Sequence, residues 1–302
     1  MSLPQPPAAD QRPLTARLAL GTAQFGLAYG LNNQAGQPPL AAVAEVLAEA
    51  RAAGLTLLDT AAAYGNSEAR LGELLRGSAD FEIITKLAAG PPAEVARQLT
   101  EALARLQRGA VYGVLFHAFE PLRDNPAAWP ALQAARVAGQ TQRIGVSLYH
   151  PHEAEWLLAE GLDFDLVQLP YNVLDQRFGP LLPQLAARGV EVHVRSAFLQ
   201  GLLLREPAGL PPFFQPLAPK LRQLRALAAA AGVPLPAAAL WFAAGAPGVA
   251  RVVVGVDSAA NLRENLAAAA YQVPAEALRP ALAALAEPTD TFILPYAWPP
   301  RP

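Results

Sequence analysis

The sequence predicts a single α/β domain folded as a (β/α)8 barrel, or TIM barrel, with an eight-stranded parallel barrel at its centre. Short apolar segments alternate with helical patterns, and eight such pairs can be counted along roughly 250 residues. The apolar segments lack polar alternation, which is typical of parallel strands covered by helices. A doubly wound sheet is the rival fold, but the chain has no G-x-G-x-x-G or Walker-type loop. A length of 302 residues suits one barrel, although two ordinary domains would also fit it.

The predicted elements follow one another in a regular order between two proline-rich ends. A leader covers residues 1–15, and an aromatic C-terminal arm covers residues 287–302. The predicted strands are 16–20, 55–58, 81–86, 111–116, 143–146, 164–167, 190–194 and 251–254. The predicted helices are 39–53, one that begins near 67, 93–107, 126–138, 151–160, 176–188, 217–231, 235–245 and 259–270. Either Asn66 or Ser67 is expected to cap the helix that begins there.

Composition excludes several classes of function. The net charge of −2 and the absence of a basic run argue against nucleic-acid binding. The absence of cysteine excludes disulfides, thiol catalysis and cysteine-based zinc sites. No apolar segment reaches the ~20 residues needed to span a bilayer, and the polar N-terminus does not read as a secretory signal. We therefore expect a cytoplasmic protein with a small-molecule substrate, and the sequence leaves its oligomeric state open.

Chemically active side chains follow successive predicted strands. The segment LDTAAAYGNSE places Asp59 at the end of strand 2 and Tyr64 on the loop beyond it. Lys86 ends strand 3, and His117 follows strand 4. Each of these residues alone has an ordinary structural explanation, such as a loop cap or a core histidine. In a parallel barrel, however, the carboxyl ends of all strands meet at one rim, which is where active sites form.

These four side chains suit proton donation to a carbonyl oxygen. A free tyrosine has a pKa of ~10, and a nearby ammonium lowers it. Lys86 could supply that charge, with Asp59 holding it in place, while His117 could hydrogen-bond the carbonyl oxygen. The result is a general acid of the kind worth ~10²–10⁴ in rate. Such an acid needs a source of hydride, since the sequence shows no nucleophile or metal cluster.

The order and spacing of Asp59, Tyr64, Lys86 and His117 closely resemble the catalytic tetrad of the aldo-keto reductase family. The resemblance, to a bacterial member, extends over nearly the whole chain through LGTAQFG, LDTAAAYGNSE, IITKL, RIGVS, LVQLPYN and VVVGVDSAANLRENL. It implies a (β/α)8 barrel that binds NADP(H) at the C-terminal ends of the strands. It also implies reduction of an aldehyde or ketone, or the reverse oxidation, with Tyr64 as the general acid.

The same resemblance implies the residues around the cofactor and the substrate. The implied cofactor-binding residues are Gly21, Thr22, Ala23, Ser147, Gln168, Arg195, Ser196, Phe198, Gln200, Gly201, Gly255, Asp257, Asn261, Glu264 and Asn265. The expected substrate residues are Gln24, Phe25 and Trp298, and no metal is expected.

Three positions depart from the family pattern. Leu148 stands where many members have an asparagine that binds the nicotinamide carboxamide. Arg195 stands where many have a tyrosine that stacks on the nicotinamide. Asp257 stands where an arginine or lysine often binds the 2′-phosphate, and Arg263, one helical turn on, could compensate. NADP(H) is therefore the favoured cofactor by resemblance, and Asp257 keeps NAD(H) as an alternative.

Two other functions remain open at this point. One is a cofactor-binding regulatory or sensor subunit of the same fold with little turnover. The other is an enzyme that uses Lys86 as a Schiff base, although pairing with Asp59 would keep that amine charged and non-nucleophilic.

Overall fold

Residues 12–31, 33, 36–273 and 275–299 are described by a computed structural model of the chain. Eight parallel strands pair in sequence order, and the last pairs with the first to close a barrel. The strands are β1 (Leu18–Gly21), β2 (Leu57–Asp59), β3 (Glu82–Leu87), β4 (Val111–Phe116), β5 (Thr141–Ser147), β6 (Leu166–Pro170), β7 (Glu191–Arg195) and β8 (Val249–Gly255). This arrangement confirms the predicted (β/α)8 barrel.

Helices cover the outside of the barrel and the loops at its ends. The α-helices are α1 (Leu14–Arg17), α2 (Ala23–Gly26), α3 (Leu40–Ala52), α4 (Ser67–Leu74), α5 (Pro92–Leu106), α6 (Glu120–Asp124), α7 (Trp129–Val137), α8 (Pro151–Ala159), α9 (Leu182–Ala187), α10 (Ala218–Ala230), α11 (Leu235–Ala244), α12 (Ala259–Ala270), α13 (Ala275–Ala283) and α14 (Asp290–Ile293). Short 3-10 helices cover Pro126–Ala128, Leu199–Leu204, Pro207–Gly209, Pro212–Leu217 and Pro295–Ala297.

Within the described ranges, no helix taken singly has the length and apolar character to cross a bilayer. One pair, Pro212–Ala230 and Leu235–Ala244, meets both criteria only when joined across a 97° bend.

The structure corrects several predicted boundaries. Residues 16 and 17 belong to α1 rather than to the first strand. The buried Arg17 guanidinium anchors this helix by donating to the carbonyls of Ala244 and Val249, both at 2.6 Å. The helix predicted over 176–188 is regular only in α9, since residues 177–181 form a turn around the Gly179–Pro180 pair. Helix α13 was not predicted. Residues 1–11 of the leader and 300–302 of the arm lie outside the described residues.

The barrel interior is built in layers that place the functional residues. Side chains alternate between the interior and the surrounding helices along each strand, so residues two apart point the same way. A compact apolar cluster takes one buried residue from each of five strands: Ala19, Leu57, Ile84, Leu115 and Leu166. Two residues further on come Gly21, Asp59, Lys86, His117 and Gln168. The apolar cluster is therefore a floor, and the polar residues lie directly above it at the C-terminal end.

A close approach of two glycines fixes the loop that carries Tyr64. A Cβ atom at Gly26 would lie 1.7 Å from the Tyr64 carbonyl oxygen and 2.7 Å from the Ser67 nitrogen. A Cβ atom at Gly65 would lie 2.4 Å from the Gly26 carbonyl oxygen, and Gly65 has a φ of +55°. Any larger residue at either position would push the two segments apart. The segments LGTAQFG and YGNSE are thus packed backbone to backbone beside the rim.

Candidate active site

A pocket of about 410 Å³ opens at the C-terminal ends of the strands. It gathers most of the residues that the sequence predicted for the site. The predicted residues that line it are Gly21, Thr22, Ala23, Gln24, Asp59, Tyr64, His117, Ser147, Gln168, Arg195, Ser196, Phe198, Gln200, Gly201, Gly255, Asp257, Asn261 and Asn265. The side chains of Asp59, Tyr64 and His117 therefore face one shared space, as the strand-end argument predicted.

A buried ion pair forms the bottom of this pocket. Lys86 is 1% exposed and Asp59 is 3% exposed. The Lys86 ammonium donates to both carboxylate oxygens of Asp59, at 2.6 and 2.8 Å, and to the Thr60 carbonyl at 3.1 Å. It also lies 3.5 Å from the Tyr64 hydroxyl. The Gln168 amide donates to the same Asp59 carboxylate at 2.8 Å, so Asp59 is held from two sides.

The electrostatics of the pair keep Lys86 charged. Burial lowers the pKa of Lys86, but the Asp59 carboxylate and the Tyr64 hydroxyl outweigh it, and the pKa lies above its ordinary value. Burial raises the pKa of the Tyr64 phenol, and the Lys86 ammonium opposes that rise. The sequence led us to expect that Lys86 lowers the pKa of Tyr64, and it does so. Burial has the larger effect, however, so the pKa of Tyr64 lies above its ordinary value. A charged Lys86 also disfavours the Schiff-base alternative, which needs a neutral amine.

His117 stands beside Tyr64 at the same rim. The two rings meet edge to face with centroids 5.5 Å apart. Burial, together with the positive charges of Lys86 and Arg195, lowers the pKa of His117 to about 4. The imidazole is therefore neutral at ordinary pH, and a neutral ring nitrogen that bears hydrogen can donate to a carbonyl oxygen without releasing a proton.

The polar residues after Tyr64 hold its loop on the barrel. The Ser67 hydroxyl donates to the Thr22 carbonyl at 3.0 Å and accepts from the Thr60 hydroxyl at 3.1 Å. Buried Glu68 accepts from the Thr85 hydroxyl, one residue before Lys86, and the loop is thereby tied to β3.

The prediction that the Asn66 or Ser67 side chain caps helix α4 is wrong. The Ser67 hydroxyl is committed to the network described above. Asn66 occupies the N-cap position of α4, but its side chain makes no capping bond and instead accepts from Gln37 at 2.6 Å.

A loop of unusual backbone geometry forms one wall of the pocket. Ser196, Leu199 and Gln200 have φ angles of +63°, +47° and +53°, in the left-handed region that non-glycine residues rarely adopt. The Asn172 amide, in the LVQLPYN segment, donates to the Ser196 carbonyl at 3.1 Å and supports this wall. The Gln200 amide donates to the Tyr29 hydroxyl at 3.1 Å, so two loops meet across the pocket.

The far end of the pocket lies at the start of α12. Asp257, Asn261 and Asn265 line it, and the Ser258 hydroxyl caps the helix by accepting from the Asn261 nitrogen at 3.2 Å. Arg263, the cation that was expected to compensate for Asp257, lies outside the lining and pairs with Glu49 at 3.0 Å.

The sequence matches a family model described as the aldo/keto reductase family over residues 17–280. The chain belongs to that family. L-galactose dehydrogenase of Arabidopsis thaliana is 28% identical over 245 residues, which is 73% of this chain and 75% of the relative. D-threo-aldose 1-dehydrogenase of a Pseudomonas species is 32% identical over 157 residues, about half of each chain (49% and 48%).

A solved structure supports the same fold. The holo form of an aldo-keto reductase from Bacillus halodurans aligns with a TM-score of 0.76 at 21% identity, and covers 94% of this chain and 96% of that one. Membership of the aldo/keto reductase family supports an oxidoreductase that acts on small carbonyl compounds.

Four predicted residues do not line the aldo/keto reductase pocket. Lys86 is one of them, and it lies behind the lining against Asp59. The other three are not brought to the pocket. Phe25 is fully buried in the main core, because α2 turns its ring away from the pocket. Trp298 packs edge to face on Phe214 with centroids 4.8 Å apart. Glu264 is exposed on α12 and does not line the pocket.

Sequence reasoning missed other lining residues, chiefly Tyr29, Asn33 and Tyr149. The one available signal was that Tyr149 lies two positions after Ser147. No such pattern marks Tyr29 or Asn33, which reach the pocket from the long loop after α2.

The lowered pKa of His117 predicts the pH dependence of any reaction at this site. A free histidine gains its charge below pH ~6.5, but His117 stays neutral down to about pH 4. The raised pKa of Tyr64 keeps the phenol protonated beyond pH ~10. We expect kcat/KM for carbonyl reduction to be flat from about pH 6 to 9. An inflection near pH 6.5 that disappears in His117→Asn would contradict this assignment, since it would show that His117 titrates normally.

Proposed function

We propose that this protein reduces an aldehyde or ketone to an alcohol by hydride transfer from a nicotinamide dinucleotide, with Tyr64 as the general acid. The observation that carries the proposal is the contact between the Tyr64 hydroxyl and the charged, buried Lys86 at one end of the pocket. Family membership supports the same chemistry.

Each side chain at the rim has one task in this reaction. A reduced nicotinamide dinucleotide, when bound, would supply the hydride for the carbonyl carbon. Tyr64 donates its hydroxyl proton to the carbonyl oxygen, and the Lys86 ammonium stabilises the phenolate that remains. Asp59 holds Lys86 in reach of that oxygen. Neutral His117 donates a hydrogen bond to the carbonyl oxygen and turns it toward Tyr64, and the apolar floor beneath excludes water from the ion pair.

The pocket has the groups needed to hold the dinucleotide. Gln24 has a buried side-chain oxygen without a hydrogen-bond partner among the described residues, and this oxygen lies in the lining. A Cβ atom at Gly255 would lie 2.8 Å from the Gln24 side-chain amide, so this amide packs directly against the Gly255 backbone. The start of α12 provides backbone N–H groups suited to a phosphate. Ser147 and Gln168 lie at the tetrad end, where the nicotinamide carboxamide would be held.

The charges at the α12 end favour NAD(H) over NADP(H). Asp257 would repel a 2′-phosphate, whereas its carboxylate could accept hydrogen bonds from ribose hydroxyls. Arg263 does not offset this charge because it is paired with Glu49 outside the lining. We therefore propose NAD(H) as the preferred form, although resemblance alone favoured NADP(H).

Removal of the Tyr64 hydroxyl tests the assigned acid. We expect Tyr64→Phe to lower kcat by about 10²- to 10⁴-fold, because the proton donor is lost. Fluorescence titration should show that the variant still binds NADH. Tyr271→Phe removes a phenol that donates to the Gly232 carbonyl away from the pocket, and it should retain wild-type kcat. Equal turnover by Tyr64→Phe and wild type would show that another group donates the proton.

Charge reversal at the α12 end tests the coenzyme assignment. We expect Asp257→Arg to lower the ratio of the NADPH Kd to the NADH Kd by tenfold or more, measured by calorimetry, because a charge-assisted bond to the 2′-phosphate is worth about 1.5–3 kcal/mol. Glu264→Arg makes the same charge change on the exposed side of α12 and is the matched control. If both variants changed the ratio of Kd values equally, the overall charge of the protein would set the coenzyme preference, and Asp257 would have no specific role. Tighter NADPH than NADH binding by the wild type would contradict the proposed preference.

A further inference from the structure

Arg195 introduces a positive charge into the tetrad end of the pocket, and no acidic side chain among the described residues pairs with it. It ends β7 and lines the same space as Tyr64 and His117. Its charge reaches both of them, since it lowers the pKa of each. The other cation at this end, Lys86, is neutralised by Asp59.

No carboxylate in the described part of the chain forms an ion pair with Arg195. Its one hydrogen bond to a described residue runs from Nη2 to the Leu148 carbonyl at 3.0 Å. The Asp59 carboxylate is occupied by Lys86 and Gln168. Asp257 lies at the α12 end of the pocket. The Nε and Nη1 groups of Arg195 therefore have no protein acceptor among the described residues, and an arginine fork is suited to carboxylate and phosphate groups.

The guanidinium is also held in a fixed position. It lies over the Tyr149 ring, with Cζ 4.1 Å from the ring centroid. The Tyr149 nitrogen donates to Glu153 at 2.6 Å, and its carbonyl accepts from Arg177 at 3.1 Å. The ring of Tyr149 meets Tyr296 edge to face, with centroids 5.0 Å apart. A cation that is pre-positioned on a rigid platform loses little entropy when an anion binds.

We propose that Arg195, mounted on Tyr149, recognises a carboxylate or phosphate group on the carbonyl substrate. The preferred substrates are then oxo-acids or phosphorylated aldehydes rather than neutral carbonyl compounds. This inference rests on the proposed carbonyl reduction. A bound anion would place the substrate's carbonyl end toward Tyr64 and His117, which share the pocket with Arg195.

The position of Arg195 favours a substrate anion over a phosphate of the coenzyme. Donors suited to the coenzyme phosphates lie elsewhere, in the wall formed by residues 196–201 and at the start of α12. Arg195 instead faces the tetrad, where the carbonyl group must react. If Arg195 bound a phosphate of the coenzyme, its removal would chiefly weaken NADH binding. If it binds an anion of the substrate, its removal should chiefly lower the preference for anionic substrates. One experiment therefore separates the two.

The test compares aldehydes that differ in one anionic group. The pairs are succinic semialdehyde with butanal, and glyceraldehyde phosphate with glyceraldehyde. We measure kcat/KM for each with wild type, Arg195→Gln, Arg195→Lys and Tyr149→Leu, and we measure the NADH Kd of each protein by fluorescence. Arg222→Gln removes one positive charge from an exposed position on α10 and is the matched control.

We expect the wild type to prefer the anionic member of at least one pair by tenfold or more. That ratio should fall about tenfold or more in Arg195→Gln, less in Arg195→Lys and Tyr149→Leu, and stay unchanged in Arg222→Gln. A wild type that reduces both members equally well overturns the inference but leaves the proposed function intact. The inference is also overturned, with the proposed function intact, if Arg195→Gln keeps the wild-type preference for the anionic aldehyde. The same holds if the variant only weakens NADH binding. If no aldehyde is reduced with NADH or NADPH, the proposed function fails, and the inference with it.

Discussion

Asp59 and Lys86 share a buried ion pair at the bottom of the pocket, and the rest of the catalytic end depends on it. Breaking such a pair costs roughly 3–5 kcal/mol, because an uncompensated charge is left in an apolar setting. The pair is bound from outside as well, through Gln168 and the Thr60 carbonyl. With its carboxylate in place, Lys86 stays protonated and within 3.5 Å of the Tyr64 hydroxyl. Stability and the proposed proton donation thus rely on one contact.

The barrel's alternation explains why these residues meet at all. One layer of inward side chains is apolar, and the next layer, two residues along each strand, is polar. Asp59, Lys86 and His117 come from three neighbouring strands, so closure of the barrel places them together without any help from the loops. Tyr64 is the exception, because its position depends on the packing of Gly26 against Gly65.

Local pattern was sufficient for the fold and for the meeting of Asp59, Lys86 and His117, because strand ends in a parallel barrel converge wherever the strands are recognised. Local pattern could not predict contacts between residues that only tertiary packing brings together. Phe25 was expected to contact the substrate, yet the turn of α2 buries its ring. Tyr149 lines the pocket and lies under the Arg195 guanidinium, with Tyr296 packed against its ring. These three residues are far apart in sequence, so no local pattern links them. Arg263 was expected to compensate for Asp257, but Glu49 on α3 binds it.

The pocket therefore has one end with the proposed proton donor, Tyr64, and a far end with an acidic residue, Asp257. The central claim is that hydride passes directly from a nicotinamide to a carbonyl carbon at the reacting end. The most direct measurement uses NADH deuterated at the hydride position of the nicotinamide, with NMR analysis of the alcohol formed from succinic semialdehyde or butanal. We expect one deuterium on the carbinol carbon, from one face of the nicotinamide only. An alcohol without deuterium at that carbon would contradict direct hydride transfer, since its hydrogen would then come from another source such as solvent.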